Sequence, residues 1–254
     1  MMLSRKSWRP EYVLMFIGAQ MMGLCLSALV ATLLHSARVS GFKDLNDFGF
    51  VLCATLGVQG ITWILIPIFL KLHHTGWREA FGLDKPGWPR SLLLAVGVLI
   101  IALPVVCFLQ SVCVMILTRL GHPPDNQTAV DMFLQAKSPL ARAYFAFFAI
   151  VLAPVAEEFI FRGVLYPFVK ELGWPKLAFV GVSALFALMH HDLAIFIPLM
   201  VLAMILTWLY EKTNCLLASI TVHSLFNAGN VFLLFFQPQI ANFFQKYLHI
   251  QLNQ

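Results

Sequence analysis

The sequence predicts an all-α fold, a polytopic bundle of about seven (six to eight) transmembrane helices. Of its 254 residues, 60% are hydrophobic and 11% are charged, and the mean hydropathy is +0.81. Soluble domains are about 45 to 50% apolar and about 25% charged. Apolar runs longer than about 18 residues, enough to cross about 30 Å of hydrocarbon as an α-helix, recur along the chain. We therefore expect an integral, multi-pass protein of the cell (inner) membrane.

Apolar segments and their polar connections suggest one membrane domain over residues 1–254, divided into two parts. Residues 1–139 hold the first helices and a surface segment at 71–90, whose aromatic and charged residues suit the headgroup layer. A polar loop at 121–140 lies between the third and fourth predicted crossings and is a candidate cap or gate. Residues 140–236 form the second part, whose polar residues make it the candidate for a catalytic core. The predicted crossings are 12–35, 48–70, 92–117, 141–171, 175–190, 193–210 and 215–236.

The formal charge of +5 does not indicate a nucleic-acid-binding protein. The basic residues are scattered over loops and segment ends and form no continuous stripe. The five cysteines lie inside apolar runs, without the spacing of a zinc site or of a disulfide framework. We expect the partners to be membrane lipids and a membrane-associated peptide or protein substrate, and no nucleic acid.

Three ionisable residues interrupt the fourth apolar segment, where a charge is costly and therefore suggests a function. Glu158 and Arg162 are spaced i, i+4, which places them side by side on a helix and predicts an ion pair. Glu157 points about 100° away around the helix. This spacing leaves Glu157 without a paired cation.

Two further segments carry polar residues at related positions. If the chain reverses at Gly173, Glu157 and His190 come to similar depths on neighbouring antiparallel helices. His223 and Asn227 are spaced i, i+4 and share one helix face. By contrast, His73 and its neighbour His74 have no partner at a useful spacing and are expected to mark the membrane surface.

Peptide hydrolysis by an activated water fits this set of residues. Glu157 can act as general base, with His190 orienting the water. His223 and Asn227 can donate hydrogen bonds to the developing oxyanion. No serine or cysteine nucleophile is needed, and neither Ser183 nor Ser224 has an evident general base at a readable spacing.

The polar motifs resemble those of the CPBP family, which includes CAAX prenyl endopeptidases and bacterial bacteriocin-processing or self-immunity proteins. The motifs are EExxxR at 157–162, FxxxH at 186–190 and HxxxN at 223–227. The resemblance covers about residues 140–236 and implies an all-helical intramembrane peptidase with a cavity. It implies these roles: Glu157 and His190 activate the water, His223 and Asn227 form the oxyanion site, and Glu158 with Arg162 supports the helix.

Members of this family have been called metalloproteases, and Glu157, His190 and His223 together offer one carboxylate and two imidazoles for zinc. The sequence has no HExxH helix, which would make zinc compelling. We favour a glutamate-activated water that requires no cofactor, with zinc as the alternative.

The same residues allow two other functions. In a non-catalytic membrane scaffold or regulator of the immunity type, the buried polar groups would hold helices together or bind a partner. In a proton-coupled transporter, Glu157 and His190 would relay protons, although the sequence shows no repeated halves. The peptidase is favoured because Glu157 and His190 coincide in depth with a donor pair on a third helix.

Overall fold

In a computed structural model of the chain, all regular secondary structure is helical, and no strand occurs among the residues that it describes. The structure describes residues 6, 8–42, 48–84, 87–124, 128–135 and 139–248. The α-helices are α1 Pro10–Ser36, α2 Phe48–Thr55, α3 Ile61–Leu72, α4 Trp77–Ala80, α5 Trp88–Arg119, α6 Thr128–Gln135, α7 Pro139–Phe147, α8 Ala153–Glu158, α9 Tyr166–Glu171, α10 Pro175–Leu188, α11 Leu193–Thr213 and α12 Leu216–Leu248.

Among the described residues, five helical segments are long and apolar enough to cross a membrane, judged by length and composition. Two shorter apolar helices, Leu56–Leu72 and Pro175–Leu188, bring the number of apolar helical segments to seven. The predicted polytopic helical bundle is confirmed. The five long segments are Pro10–Ser36, Trp88–Arg119, Arg142–Glu171, Leu193–Thr213 and Leu216–Phe236.

Three π-helical turns join consecutive α-helices within the second and fourth crossings. They are π1 Leu56–Gly60, π2 Phe148–Leu152 and π3 Phe159–Leu165. Pro154 lies two residues after the end of π2, and a proline has no N–H for the regular helical ladder. The wider turn before Pro154 lets the helix continue through this residue without a break.

Close packing of two glycines joins α1 to the second crossing. A Cβ added to Gly57 would lie 2.0 Å from Ser27 Oγ and 3.3 Å from the Gly23 carbonyl oxygen. A Cβ added to Gly23 would lie 1.9 Å from Ile61 Cδ1. Small residues allow helix backbones to approach closely inside a membrane, so this contact sets the position of π1 relative to α1.

His73 has partners, contrary to the prediction from its sequence spacing. Its Nε2 accepts a hydrogen bond from the Arg9 backbone N–H at 3.0 Å, and its Nδ1 lies 2.8 Å from the Phe69 carbonyl oxygen. The indole of Trp8 packs edge-on against its ring at 4.8 Å and donates to the Gly163 carbonyl. Burial lowers the pKa of His73. His73 therefore helps to attach the N-terminal segment to the bundle.

The two segments predicted to be polar connections contain short helices. Helix α4 lies in the predicted surface segment, and the next residues reach α12, where the Leu217 N–H donates to the Phe81 carbonyl at 3.4 Å. Helix α6 lies in the predicted loop at 121–140 and carries the buried side chain of Phe133. This loop is therefore partly helical and packs inward.

Substitution of Gly57 by alanine tests the contact between α1 and the second crossing. Because the new methyl would overlap Ser27, we expect G57A to lower the free energy of unfolding by about 1 to 3 kcal/mol. Gly18 on α1 has no atom within 4 Å of an added Cβ, so G18A is the matched control and should not destabilise the protein. Thermal unfolding in detergent measures both changes. Equal stability of the two variants would contradict this packing.

Candidate active site

A cavity of about 1000 Å³ lies within the bundle and is lined by all four residues predicted to be catalytic. This volume is at the upper end of the range of about 300 to 1,000 Å³ that is usual for ligand sites. Much of its wall is apolar and aromatic. The predicted residues that line it are Glu157, His190, His223 and Asn227, and the other polar residues include Thr55, Gln59, Gln110, Ser111, Tyr144 and Asn230.

Glu158 and Arg162 do not line the cavity but form the predicted ion pair in the protein interior. Arg162 Nη1 lies 2.8 Å from Glu158 Oε1, and the side chains are 1% and 0% exposed. Arg162 Nη2 also donates to the Ala203 carbonyl of α11 at 2.9 Å. A buried charge needs both a counter-ion and hydrogen bonds, and Arg162 supplies both to Oε1 of Glu158. The two residues thus support the helix packing.

His223 connects the buried pair to the cavity. Its Nδ1 lies 2.9 Å from Glu158 Oε1, while its Nε2 lies 3.8 Å from Glu157 Oε2. Because the ionised Glu158 can only accept a hydrogen bond, Nδ1 carries a proton and donates it to this carboxylate. The distance to Glu157 is too long for a direct hydrogen bond, but a water molecule can contact both atoms.

The two adjacent glutamates have different surroundings. The side chain of Glu157 is 17% exposed, whereas that of Glu158 is fully buried. Glu157 reaches the cavity and accepts a hydrogen bond from Gln59 Nε2 at 3.1 Å. Sequence spacing left Glu157 without a partner, but the structure places Gln59 and His223 beside it. Of the two carboxylates, Glu157 is the one that a substrate can reach.

His190 lies in the turn between α10 and α11. Its Nδ1 is 2.9 Å from the Phe186 carbonyl oxygen. A carbonyl can only accept, so this Nδ1 carries the hydrogen and the neutral ring presents the lone pair of Nε2. The turn continues through His191, with a positive φ of 52°, to Asp192, which caps α11 by accepting from the Ala194 N–H at 2.8 Å. His190 is thus fixed at the cavity wall.

Asn227 and Phe186 complete the motif residues. Asn227 shares the cavity face of α12 with His223, and its Nδ2 donates to the Ala149 carbonyl in π2 at 2.8 Å. The ring of Phe186 lies 4.8 Å from the Arg162 guanidinium, a cation–π contact. It also contacts the rings of His190 and His223, at 4.9 and 5.7 Å. Phe186 therefore packs between the ion pair and the two histidines.

Gln59 is a site residue that the sequence analysis missed. It lies on π1, outside the three motifs, and contacts Glu157 across 98 positions of sequence. The only signal in the sequence is a lone amide side chain within an otherwise apolar crossing. Helix α6 was missed as well, and its Val130 and Phe133 line the cavity.

The three residues of the zinc alternative, Glu157, His190 and His223, line the same cavity. Within the described part of the chain, no group of three or more His, Cys, Asp and Glu side chains lies close enough together to hold a metal ion.

Removal of Arg162 tests the buried ion pair. Because R162M leaves the carboxylate of Glu158 buried without its cation, we expect a loss of about 3 to 5 kcal/mol in the free energy of unfolding. The double variant E158Q/R162M removes both charges and should lose less than the sum of the two single variants. Thermal or denaturant unfolding in detergent measures the free energies of unfolding of R162M, E158Q and E158Q/R162M. Strict additivity would mean that the pair does not interact.

Comparison with known proteins finds similarity over the C-terminal part of the chain. Residues 139–229 match the family model described as type II CAAX prenyl endopeptidase Rce1-like. The chain is 35% identical over 78 residues to UPF0177 protein YxdF of Lactococcus lactis, which covers 30% of this chain and 42% of that protein. It is 38% identical over 82 residues to UPF0177 protein YaiH of the same organism, which covers 31% of this chain and 32% of that protein.

The matched segments span less than half the length of these curated relatives. No solved structure matches the chain. The matched family segment contains all three polar motifs. The resemblance predicted from these motifs is therefore confirmed, and residues 139–229 are similar to the Rce1-like type II CAAX prenyl endopeptidases.

Proposed function

We propose that this integral membrane protein is an endopeptidase that hydrolyses a peptide bond of a membrane-associated or lipidated substrate, using a water activated by Glu157 and His190. The observation that carries the proposal is that Glu157, His190, His223 and Asn227 line one cavity. The peptidase family matched by residues 139–229 supports the same reaction class. We place the protein in the cell (inner) membrane, with membrane lipids around it.

Glu157 serves as the general base in this proposal. Its carboxylate reaches the cavity, and an ionised carboxylate can only accept hydrogen bonds or a proton. A water held between Glu157 Oε2 and the His190 ring loses a proton to Glu157 while its oxygen attacks the carbonyl carbon of the scissile bond. General base catalysis of this kind contributes about 10²- to 10⁴-fold to the rate.

His190 positions the attacking water. Its Nδ1–H is engaged by the Phe186 carbonyl, so the Nε2 lone pair accepts a hydrogen bond from that water. A nucleophile held by two acceptors directs its oxygen lone pair towards the substrate, because both of its hydrogens are engaged. Such orientation lowers the entropic part of the barrier.

His223 and Asn227 stabilise the oxyanion that forms when the carbonyl carbon becomes tetrahedral. The Asn227 amide uses one hydrogen on Ala149 and keeps a second for the substrate. His223 donates through Nε2 only as an imidazolium, because its Nδ1–H is directed to Glu158. Oxyanion donors contribute about 2.7 to 4 kcal/mol each in well-studied hydrolases.

Collapse of the tetrahedral intermediate completes the reaction. The C–N bond breaks, and the protonated Glu157 returns its proton to the leaving amine nitrogen. Glu157 is then ionised again and ready for the next water, while the products are a carboxylic acid and an amine. Each step uses the residues of this chain and one water molecule.

The apolar wall of the cavity suits a substrate that enters from the lipid phase. Aromatic side chains from several helices line it, and apolar surface of this kind binds acyl or prenyl chains as well as apolar peptide side chains. The family description names prenyl endopeptidases. Lipidated and membrane-embedded peptides are accordingly the substrate classes that we propose.

A scaffold or regulator is the second candidate function, and the buried Glu158–Arg162–His223 network favours it. This network would hold the helices together in a protein without catalytic activity. The two functions differ in what they require of Glu157. A scaffold tolerates the loss of its charge, whereas the peptidase does not.

Substitution of Glu157 separates these functions. In membranes from cells that express E157Q, we expect cleavage to fall by about 10²- to 10⁴-fold, because the amide cannot accept the proton of water. Quantitative proteomics of new protein termini, compared with the wild type, measures the change. The control is E79Q, which makes the same chemical change at an exposed residue of α4. A wild-type set of termini with E157Q would reject the peptidase.

His190 gives an independent test. The H190A variant should lose cleavage of the same substrates, because the water loses one of its two acceptors. Because His190 is only half-buried at the cavity wall, the H190A variant should unfold in detergent at a temperature near that of the wild type. H191A, at the exposed neighbouring position, should retain cleavage. Equal activities of H190A and H191A would remove His190 from the mechanism.

A further inference from the structure

Gln59 is the residue from outside the family segment that contacts the proposed base directly. Its Nε2 donates to Glu157 Oε1 at 3.1 Å, and its side chain lines the cavity. It is held on π1, in the second crossing, whereas the matched segment begins at residue 139. The N-terminal helices therefore supply a polar group to the site.

The backbone around Gln59 is held in place by a separate set of hydrogen bonds. The Val58 carbonyl accepts from Thr62 Oγ1 at 2.6 Å and from the Gln20 amide of α1. The Thr62 hydroxyl also lies 3.1 Å from Gln20 Oε1. A π turn breaks the regular helical hydrogen-bond ladder, and these side chains satisfy the carbonyl next to Gln59. Gln59 is thus presented from a supported turn.

The two oxygens of Glu157 have different neighbours. Oε1 receives the amide hydrogen bond of Gln59, and Oε2 lies 3.8 Å from His223 Nε2. A hydrogen bond to one oxygen restricts rotation of the carboxylate about its last bond. The other oxygen is then the one directed towards the imidazole and the proposed water.

The opposite end of the Gln59 amide is also informative. Its Oε1 is buried and has no hydrogen-bond partner among the described residues. Leaving a buried acceptor unsatisfied costs about 1 to 3 kcal/mol. A residue kept only for packing would avoid this penalty with an apolar side chain of similar size. Such an unsatisfied group in a catalytic cavity suggests a functional role.

We propose that Gln59 is a positioning residue, which holds Oε1 of Glu157 so that Oε2 takes the proton from the attacking water. This inference rests on the proposed peptidase function and deepens it. It makes π1 and the N-terminal helices part of the active site and not merely a membrane anchor. Gln59 itself exchanges no proton with the substrate.

Infrared difference spectroscopy tests the contact without any substrate. The spectrum of the wild type minus that of E157Q isolates the carboxyl bands of Glu157. We expect these bands to shift in the Q59M background, because the carboxylate loses a hydrogen-bond donor. They should not shift with Q110M, the same change at a cavity-lining glutamine of α5. Unchanged bands in Q59M would overturn the proposal.

Cleavage kinetics test the consequence for the reaction. For a quenched fluorescent peptide with the sequence cut in the proteomic comparison, Q59M should lower kcat by about 10- to 100-fold through misplacement of the base. KM should change little, whereas Q110M should act mainly on KM. If Q59M does not fold in detergent, Q59N retains the amide but is one methylene too short to reach Glu157. It should reproduce the loss in kcat.

The outcomes separate the two proposals. If E157Q retains cleavage, the peptidase function fails, and the infrared spectra still show whether Gln59 orients Glu157. If E157Q abolishes cleavage while Q59M keeps the wild-type kcat and the wild-type Glu157 bands, the peptidase stands and the role of Gln59 is refuted.

Discussion

The buried carboxylate of Glu158 is the constraint on which the rest of the site depends. An anion without solvent contact is stable only where protein groups replace its hydration. Here Arg162 and the Nδ1 of His223 do so, and Arg162 extends to the Ala203 carbonyl of α11. One charge therefore fixes α8, α11 and α12 relative to one another. The same contacts leave His223 with a single free ring nitrogen, Nε2, which faces Glu157.

Adjacent glutamates with different surroundings can have different tasks. Glu158 is surrounded by cationic and polar groups in the interior, and its charge is used in structure. Glu157 lies one residue earlier and reaches the cavity, where its contacts are a neutral amide and an imidazole. Pairs of carboxylates that differ in this way are a common means of dividing structural and catalytic work. The proposed mechanism uses Glu157 as the base because this residue lines the cavity, whereas Glu158 belongs to the buried ion pair.

Each of the three π turns contributes a side chain or a backbone group to the site or to its buried ion pair. Gln59 lies on π1, the Ala149 carbonyl that accepts from Asn227 lies in π2, and Arg162 lies in π3. Turns of this kind often occur at functional positions, since they free backbone groups and redirect side chains. Inside a membrane such freed groups must be satisfied by the protein. Asn227 with Ala149, and Gln20 with Val58, meet this requirement.

Local patterns determined the all-helical membrane fold, the order of the crossings and the spacing of Glu158 with Arg162, because hydropathy and helical periodicity act over a few residues. They also predicted which polar side chains would line a common cavity. Tertiary structure alone decided that Gln59 meets Glu157 and that His73 packs beneath the N-terminal segment. These contacts join residues 98 and 64 positions apart. Such pairs depend on how close helices approach one another, which no short stretch of sequence encodes.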